Sequence, residues 1–237
     1  MGARFVTTRW TLVNTARTSS DSAAGRALEE LCLAYWPPLY AYLRRRGHDP
    51  EEAQDLTQGF FMRLLERHDI RAADPARGRF RSFLLTALKR YAMNEHERAT
   101  SAKRGGRHVH LSLDFEEAER SYRLESRSHD TPDRVFDRKW AAISLDRAVQ
   151  RLRDSYDRAG KGTLADALLP YLTDSGTLPP YSAVAATLGL TEGAVKVAVH
   201  RMRQDFGSAL RVEIAHTVLD PDVVDDEVRE LLRVVSG

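Results

Sequence analysis

Apolar residues return at three- and four-residue intervals along most of this chain, the spacing of one face of an α-helix. Between Ala23 and Arg46 that face is Leu28, Leu31, Cys32, Tyr35, Leu39, Tyr42 and Leu43. Pro37 and Pro38 predict a kink or two short helices there, and Gly47 ends the element. Asp49-Pro50-Glu51-Glu52 reads as a helix start, with an N-cap, a proline at the first helical position and acids in the first turn. This helix is expected to run to about Arg67, with Ala53, Leu56, Phe60, Leu64 and Leu65 near one face. A loop from Asp74 to Arg79 precedes a helix from Arg79 or Phe80 to about Arg98, whose core candidates are Phe80, Phe83, Leu84, Ala87 and Leu88. Periodicity fades over residues 108–131. It returns at Phe136 to Arg158, with Trp140, Ile143, Leu145, Val149 and Leu152, and again at Leu164 to Leu172. FVTTRWTLV near the N-terminus is the only strand-like stretch. The pattern predicts an all-α protein with two small helical domains, residues 22–107 and 132–212. A flexible linker over 108–131, holding short helical pieces, joins them, and extensions flank them at 1–21 and 213–237.

Residues 181–206, YSAVAATLGLTEGAVKVAVHRMRQDF, carry the most chemistry. Val184, Ala185, Leu188, Leu190, Val195, Ala198 and Val199 are small or apolar, and Ala185 permits close crossing of two helices. Gly189 sits where a turn between them needs positive φ. Thr191 is placed to N-cap the second helix, with Glu192 in its first turn beside the positive end of the macrodipole. Lys196, His200, Arg201, Arg203 and Gln204 point outward from this helix. A short stiff helix that presents cations and amides suits the major groove of DNA. The alternative is an amphipathic core helix with a solvated charged face.

Composition narrows the classes. The chain has 237 residues, 42% of them apolar and 30% charged, and a net charge of only +2, so distribution of charge is more telling than its sum. Arg77 to Arg107 is basic, whereas residues 220–230, DPDVVDDEVRE, are acidic. The single cysteine, Cys32, excludes an internal disulfide framework and a cysteine-rich zinc site. No apolar run approaches the length of a membrane span, and no signal-peptide pattern opens the chain, so a soluble cytoplasmic protein is expected. The histidines His48, His68, His96, His108 and His110 have neither metal nor triad spacing, and Gly105-Gly106 lacks the context of a phosphate loop. Neither catalysis, a metal nor a cofactor is expected.

Arg77, Arg79, Arg81, Lys89, Arg90, Arg98, Lys103, Arg104 and Arg107 are interleaved with Phe80, Phe83 and Tyr91. Cations neutralise phosphates, and aromatics stack unpaired bases at about 1–3 kcal/mol each. Such a helix fits a surface that grips or separates DNA strands. The alternative makes Phe80 and Phe83 core residues and the arginines their solvated face.

With DPEEAQDLTQGFF and GRFRSFLLTALKRYAMNEHER ahead of a variable linker and TEGAVKVAVHRMR, the chain resembles a bacterial RNA polymerase sigma factor of the two-domain, extracytoplasmic-function (ECF) group. FVTTRWTLV, KRGG, LSLDFEEAE and the acidic tail look like a subgroup similar to that of planctomycetes and related bacteria. The resemblance, over about residues 22–212, implies a non-enzymatic role in transcription initiation with core RNA polymerase and promoter DNA as partners. The first domain would dock on the clamp of the largest subunit and open the minus-ten element. The second would sit on the flap of the other large subunit and read the minus-thirty-five element. Carried over by position, Asp55, Leu56, Gln58 and Phe61 lie on the clamp-binding helix. Arg79, Arg81, Phe83, Lys89, Arg90, Asn94, Arg98, Lys103 and Arg104 cover the minus-ten and melting surface. Thr191, Gly193, Lys196, Val197, His200, Arg201 and Arg203 cover the minus-thirty-five surface.

The departures are specific. The usual acidic clamp motif is here Glu52-Ala53-Gln54-Asp55, followed by Gly59 in place of a common acid. Phe83 replaces the family tryptophan, and Arg90 and Asn94 stand where Asn and Asp are usual. Thr57, on the clamp helix, is a candidate for phosphorylation by a serine/threonine kinase, which would add about −1.5 to −2 charge. An ordinary helix threonine is the alternative. The regulator is open between an anti-sigma factor, a kinase and the chain's own ends. The acidic tail is expected either to mask a basic surface or to pack on the second domain through Val223, Val224, Val228, Leu231 and Leu232. The competing function is a stand-alone helix-turn-helix regulator that binds operator DNA without polymerase.

Overall fold

The computed structural model describes residues 35–66, 80–101, 113–125, 129–172, 178–215 and 224–236. The fold is all-α, with no strand among the described residues. The elements are α1 (35–45), α2 (Pro50–Glu66), α3 (Phe80–Ser101), α4 (Phe115–Glu125), α5 (Pro132–Arg158), α6 (Gly162–Leu168), a 3-10 turn (Leu169–Tyr171), α7 (Tyr181–Leu188), α8 (Glu192–Ala215) and α9 (Val224–Ser236). FVTTRWTLV, Cys32, the loop before α3 and the Lys103 to Arg107 run lie outside the described residues. No single described helix is long and apolar enough to cross a membrane.

Helix starts follow local chemistry. Asp49 Oδ1 accepts the Glu52 N–H at 2.8 Å, Asp114 Oδ1 accepts the Glu117 N–H at 3.0 Å, and Thr131 Oγ1 accepts the Arg134 N–H at 3.3 Å. Each caps an otherwise unpaired donor three residues on. Pro37 and Pro38 lie within the helical residues of α1.

The contacts divide the chain into two units, residues 1–142 with 215–237 and residues 143–214. In the first, Tyr35, Leu39 and Leu43 of α1, Phe60, Phe61 and Leu64 of α2, and Phe80, Leu84 and Leu88 of α3 are buried. Tyr35 and Phe80 meet edge-on at 5.3 Å. In the second, Leu152, Ala165, Leu168, Tyr171, Val184, Ala185, Val195, Val199 and Met202 form one core.

Besides taking residues 132–142, the start of the expected second domain, into the first unit, these divisions differ from the composition-based boundaries in two places. Part of the expected linker is α4, and it packs within the first unit. Its Phe115 ring lies 4.9 Å from Trp36 and 5.4 Å from Tyr40. Its Glu119 accepts hydrogen bonds from Tyr40 Oη (2.8 Å), from Arg44 Nε and Nη2 (2.8 and 3.0 Å) and from Arg123 Nε (2.9 Å). Burial alone would push the Glu119 carboxyl up, but these donors outweigh it and hold the group at about 2. The second difference is the tail. α9 belongs to the first unit, not the second, with Leu231 fully buried and Glu227 only 3% exposed. Its acid meets Arg81: Glu227 Oε2 lies 3.5 Å from Arg81 Nη2. A buried carboxylate needs a cation of this kind, and Arg81 is where the first unit offers one.

Candidate nucleic-acid interface

In the second unit, α7 ends on Gly189, whose φ of 65° and ψ of 30° are left-handed. The N–H groups of Gly189 and Leu190 both reach the Ala185 carbonyl, closing the helix end. Thr191 Oγ1 accepts the Ala194 N–H at 3.2 Å and so caps α8. The axes of α7 and α8 turn through 99° across this short break, within the range of a helix-turn-helix. Val195, Val199 and Met202 are buried, which turns Gly193, Lys196, Val197, His200, Arg201, Arg203 and Gln204 outward. Val197 is 51% exposed, an apolar group on an otherwise polar face.

Three contacts hold α8 against the rest of its unit. Arg151 Nε and Nη2 donate to Glu213 Oε1 at 2.8 and 2.6 Å. Tyr156 Oη donates to Asp205 at 3.0 Å; burial and that carboxylate raise the phenol to about 12, so it remains a donor at neutral pH. Arg203 Nη2 donates to the Tyr171 carbonyl at 3.3 Å, so this arginine both faces solvent and ties α8 to the 3-10 turn.

In the first unit, α2 and α3 enclose a cleft of about 260 Å³ lined by Phe60, Arg63, Leu64, Phe83, Ala87, Arg90, Tyr91 and Asn94. Phe83, Arg90 and Asn94, three of the sequence-derived minus-ten positions, share it. Phe60 and Tyr91 rings lie 5.9 Å apart, and the Arg63 guanidinium stands 5.8 Å from the Tyr91 centroid. A Cβ at Gly59 would meet the Tyr91 hydroxyl, so glycine lets that ring sit where it does and a larger residue would displace it. Phe80 is core, whereas Phe83 is half-buried and stacks on it at 6.0 Å.

The structure places the other sequence-derived positions in different surroundings. Arg81 is 7% exposed, paired with Glu227, 3.9 Å from Asp137 and 3.9 Å over the Trp140 ring, so it lies between helices in the unit's interior and not on its surface. Lys89 pairs with Asp133 and lines a different cleft, with Tyr42, Arg46, His48, Met93 and His96. On α2, Asp55 is exposed and Leu56 half-buried, but Gln58 and Phe61 are buried in the unit's own core. Thr57 is fully buried, and its hydroxyl donates to the Ala53 carbonyl at 2.7 Å. A kinase reaches that oxygen only if α2 unpacks. Arg79, Lys103 and Arg104 lie outside the described residues, as does the side chain of Arg98.

Arg63 and Phe60 were not singled out for the cleft from sequence, and Glu119 was not singled out at all. For Arg63 the signal was present: it falls three residues after Phe60, on the edge of the α2 apolar stripe. For Glu119 there was none, since its partners Tyr40 and Arg44 lie 79 and 75 residues away.

Residues 31–102, spanning α1 to α3, match the family Sigma-70 region 2. No curated protein and no solved structure matches the chain. The match supports a sigma-factor role in transcription initiation, in a family of non-enzymatic transcription factors that bind core RNA polymerase and promoter DNA.

Proposed function

We propose that this protein is a two-domain sigma factor of the extracytoplasmic-function group that carries core RNA polymerase to particular promoters and helps melt them. The observation that carries the reading is the α2–α3 cleft. Within the segment matching Sigma-70 region 2, Phe83, Arg90 and Asn94 converge on one cleft with an aromatic lining and two guanidinium groups, Arg63 and Arg90. That combination suits a base turned out of the duplex: an aromatic face stacks it, amide and guanidinium groups bond its edge, and the cations meet its phosphate. The exposed face of α8 supplies the second contact, lying in the major groove of an upstream element with Gly193 allowing close approach and Val197 suited to a thymine methyl. On α2, exposed Glu51, Glu52 and Asp55 with Leu56 form the surface offered to the polymerase clamp. Gln58 and Phe61 support that surface from behind.

A gel shift with and without core polymerase tests the reading. The free chain should bind promoter duplex weakly, and core enzyme should produce a specific complex that initiates transcription. Tight specific binding by the free chain, unchanged by core enzyme, would instead establish the stand-alone regulator.

A further inference from the structure

Resting on the promoter-reading role of α8, we propose that Glu192 and Lys196 act together to read a single G·C base pair, lysine on guanine and glutamate on cytosine. Lys196 Nζ lies 2.8 Å from Glu192 Oε1, one helical turn away, and both side chains are exposed. The ammonium also stands 5.9 Å from the centre of the Tyr181 ring, which is itself stacked on Tyr171 at 5.0 Å. A carboxylate and a fixed ring therefore restrict a side chain that would otherwise sweep freely. The hydrogen bond to Glu192 raises the Lys196 pKa above its ordinary value, so the group stays cationic. The Thr191 cap fixes the start of the helix from which both residues project.

The pair presents a donor beside an acceptor. In a G·C pair, guanine O6 and cytosine N4 are hydrogen-bonded to each other, about 2.9 Å apart, and both face the major groove as acceptor beside donor. The spacing of the protein pair matches that of the base pair. Lys196 can donate to O6 and N7 of guanine while the second Glu192 oxygen accepts from cytosine N4. A T·A pair offers O4 beside adenine N6 in the same order, but the thymine methyl stands where guanine has N7, and the ammonium loses an acceptor. In the reversed C·G pair the carboxylate would face O6 and N7, acceptor against acceptor. A glutamate on a DNA-facing helix repels phosphates, a cost that its place at the helix N-terminus and base reading both offset.

The experiment is holoenzyme reconstituted with the full chain and a set of promoter duplexes carrying every single base-pair substitution across the upstream element. One G·C position should lose about tenfold in affinity on replacement by A·T, T·A or C·G. Glu192→Ala and Lys196→Ala should each flatten the preference at that position and leave the others intact, with little further effect when combined. Thermal melting of the variants separates this from a folding defect. A wild-type preference profile retained in Glu192→Ala, or flattening at a position that is not G·C, overturns the proposal. A wild-type holoenzyme that discriminates at no position overturns the promoter-reading role itself.

Discussion

Arg81 keeps its charge in the interior of the first unit, between Glu227, Asp137 and the face of Trp140. Removing one partner of a buried pair strands the other charge, which costs far more than the pair itself contributes. Glu227→Gln is therefore expected to lower unfolding free energy by about 3 kcal/mol, read by urea denaturation. Replacing both residues with apolar ones should recover most of that loss, and an unchanged midpoint in the single variant would show that the pair holds nothing. The sequence placed Arg81 on a basic helix but not on which face, because its partner lies 146 positions further on. Thr57 was more legible than it looked. It falls four residues from both Ala53 and Phe61, on the stripe completed by Phe60 and Leu64, so its burial is implied by helical period alone.

Among elements, α4 shows how a weak periodic signal hides a well-anchored helix. Its sequence is mostly charged, yet Phe115 enters an aromatic cluster and Glu119 gathers three donor side chains. With its pKa depressed from 4.5 to about 2 in the folded chain, Glu119 contributes stability that is fully present above pH 4.5. That stability, roughly 3 kcal/mol, drains away as pH falls from about 4.5 towards 2. Glu119→Gln should accordingly melt lower than the parent at pH 7, with the gap closing in acid; a gap independent of pH would count against this account. The break between α7 and α8 was legible because each of its signals is local: Gly189 for the left-handed turn, Thr191 for the cap, Val195 and Val199 for the buried face. The α2–α3 cleft was legible only in half, since α3 supplied Phe83, Arg90 and Asn94, whereas Phe60 and Arg63 become neighbours of those residues through packing.

At the scale of the whole molecule, a net charge of +2 gives the free chain little general attraction to DNA, so the two proposed binding faces must work through local contacts. Their defects should be separable. Phe83→Ala is expected to slow strand opening, measured by permanganate reactivity of unpaired thymines, about tenfold, as one lost stacking contact implies, while leaving duplex binding intact. Arg201→Ala should do the reverse, weakening the closed complex about tenfold without altering the opening rate once bound. A shared defect in both steps would argue that neither face acts alone. The division of the chain also fixes an order of events during its synthesis. The first unit needs residues on both sides of the second, since α9 lies beyond residue 214 and yet supplies Glu227 and Leu231 to the first unit's interior. The ribosome therefore delivers all of the second unit before α9 can complete the first. Throughout that interval Arg81 waits without Glu227, and a nascent chain halted there presents an uncovered cation beside the Trp140 ring to whatever surveys unfinished proteins.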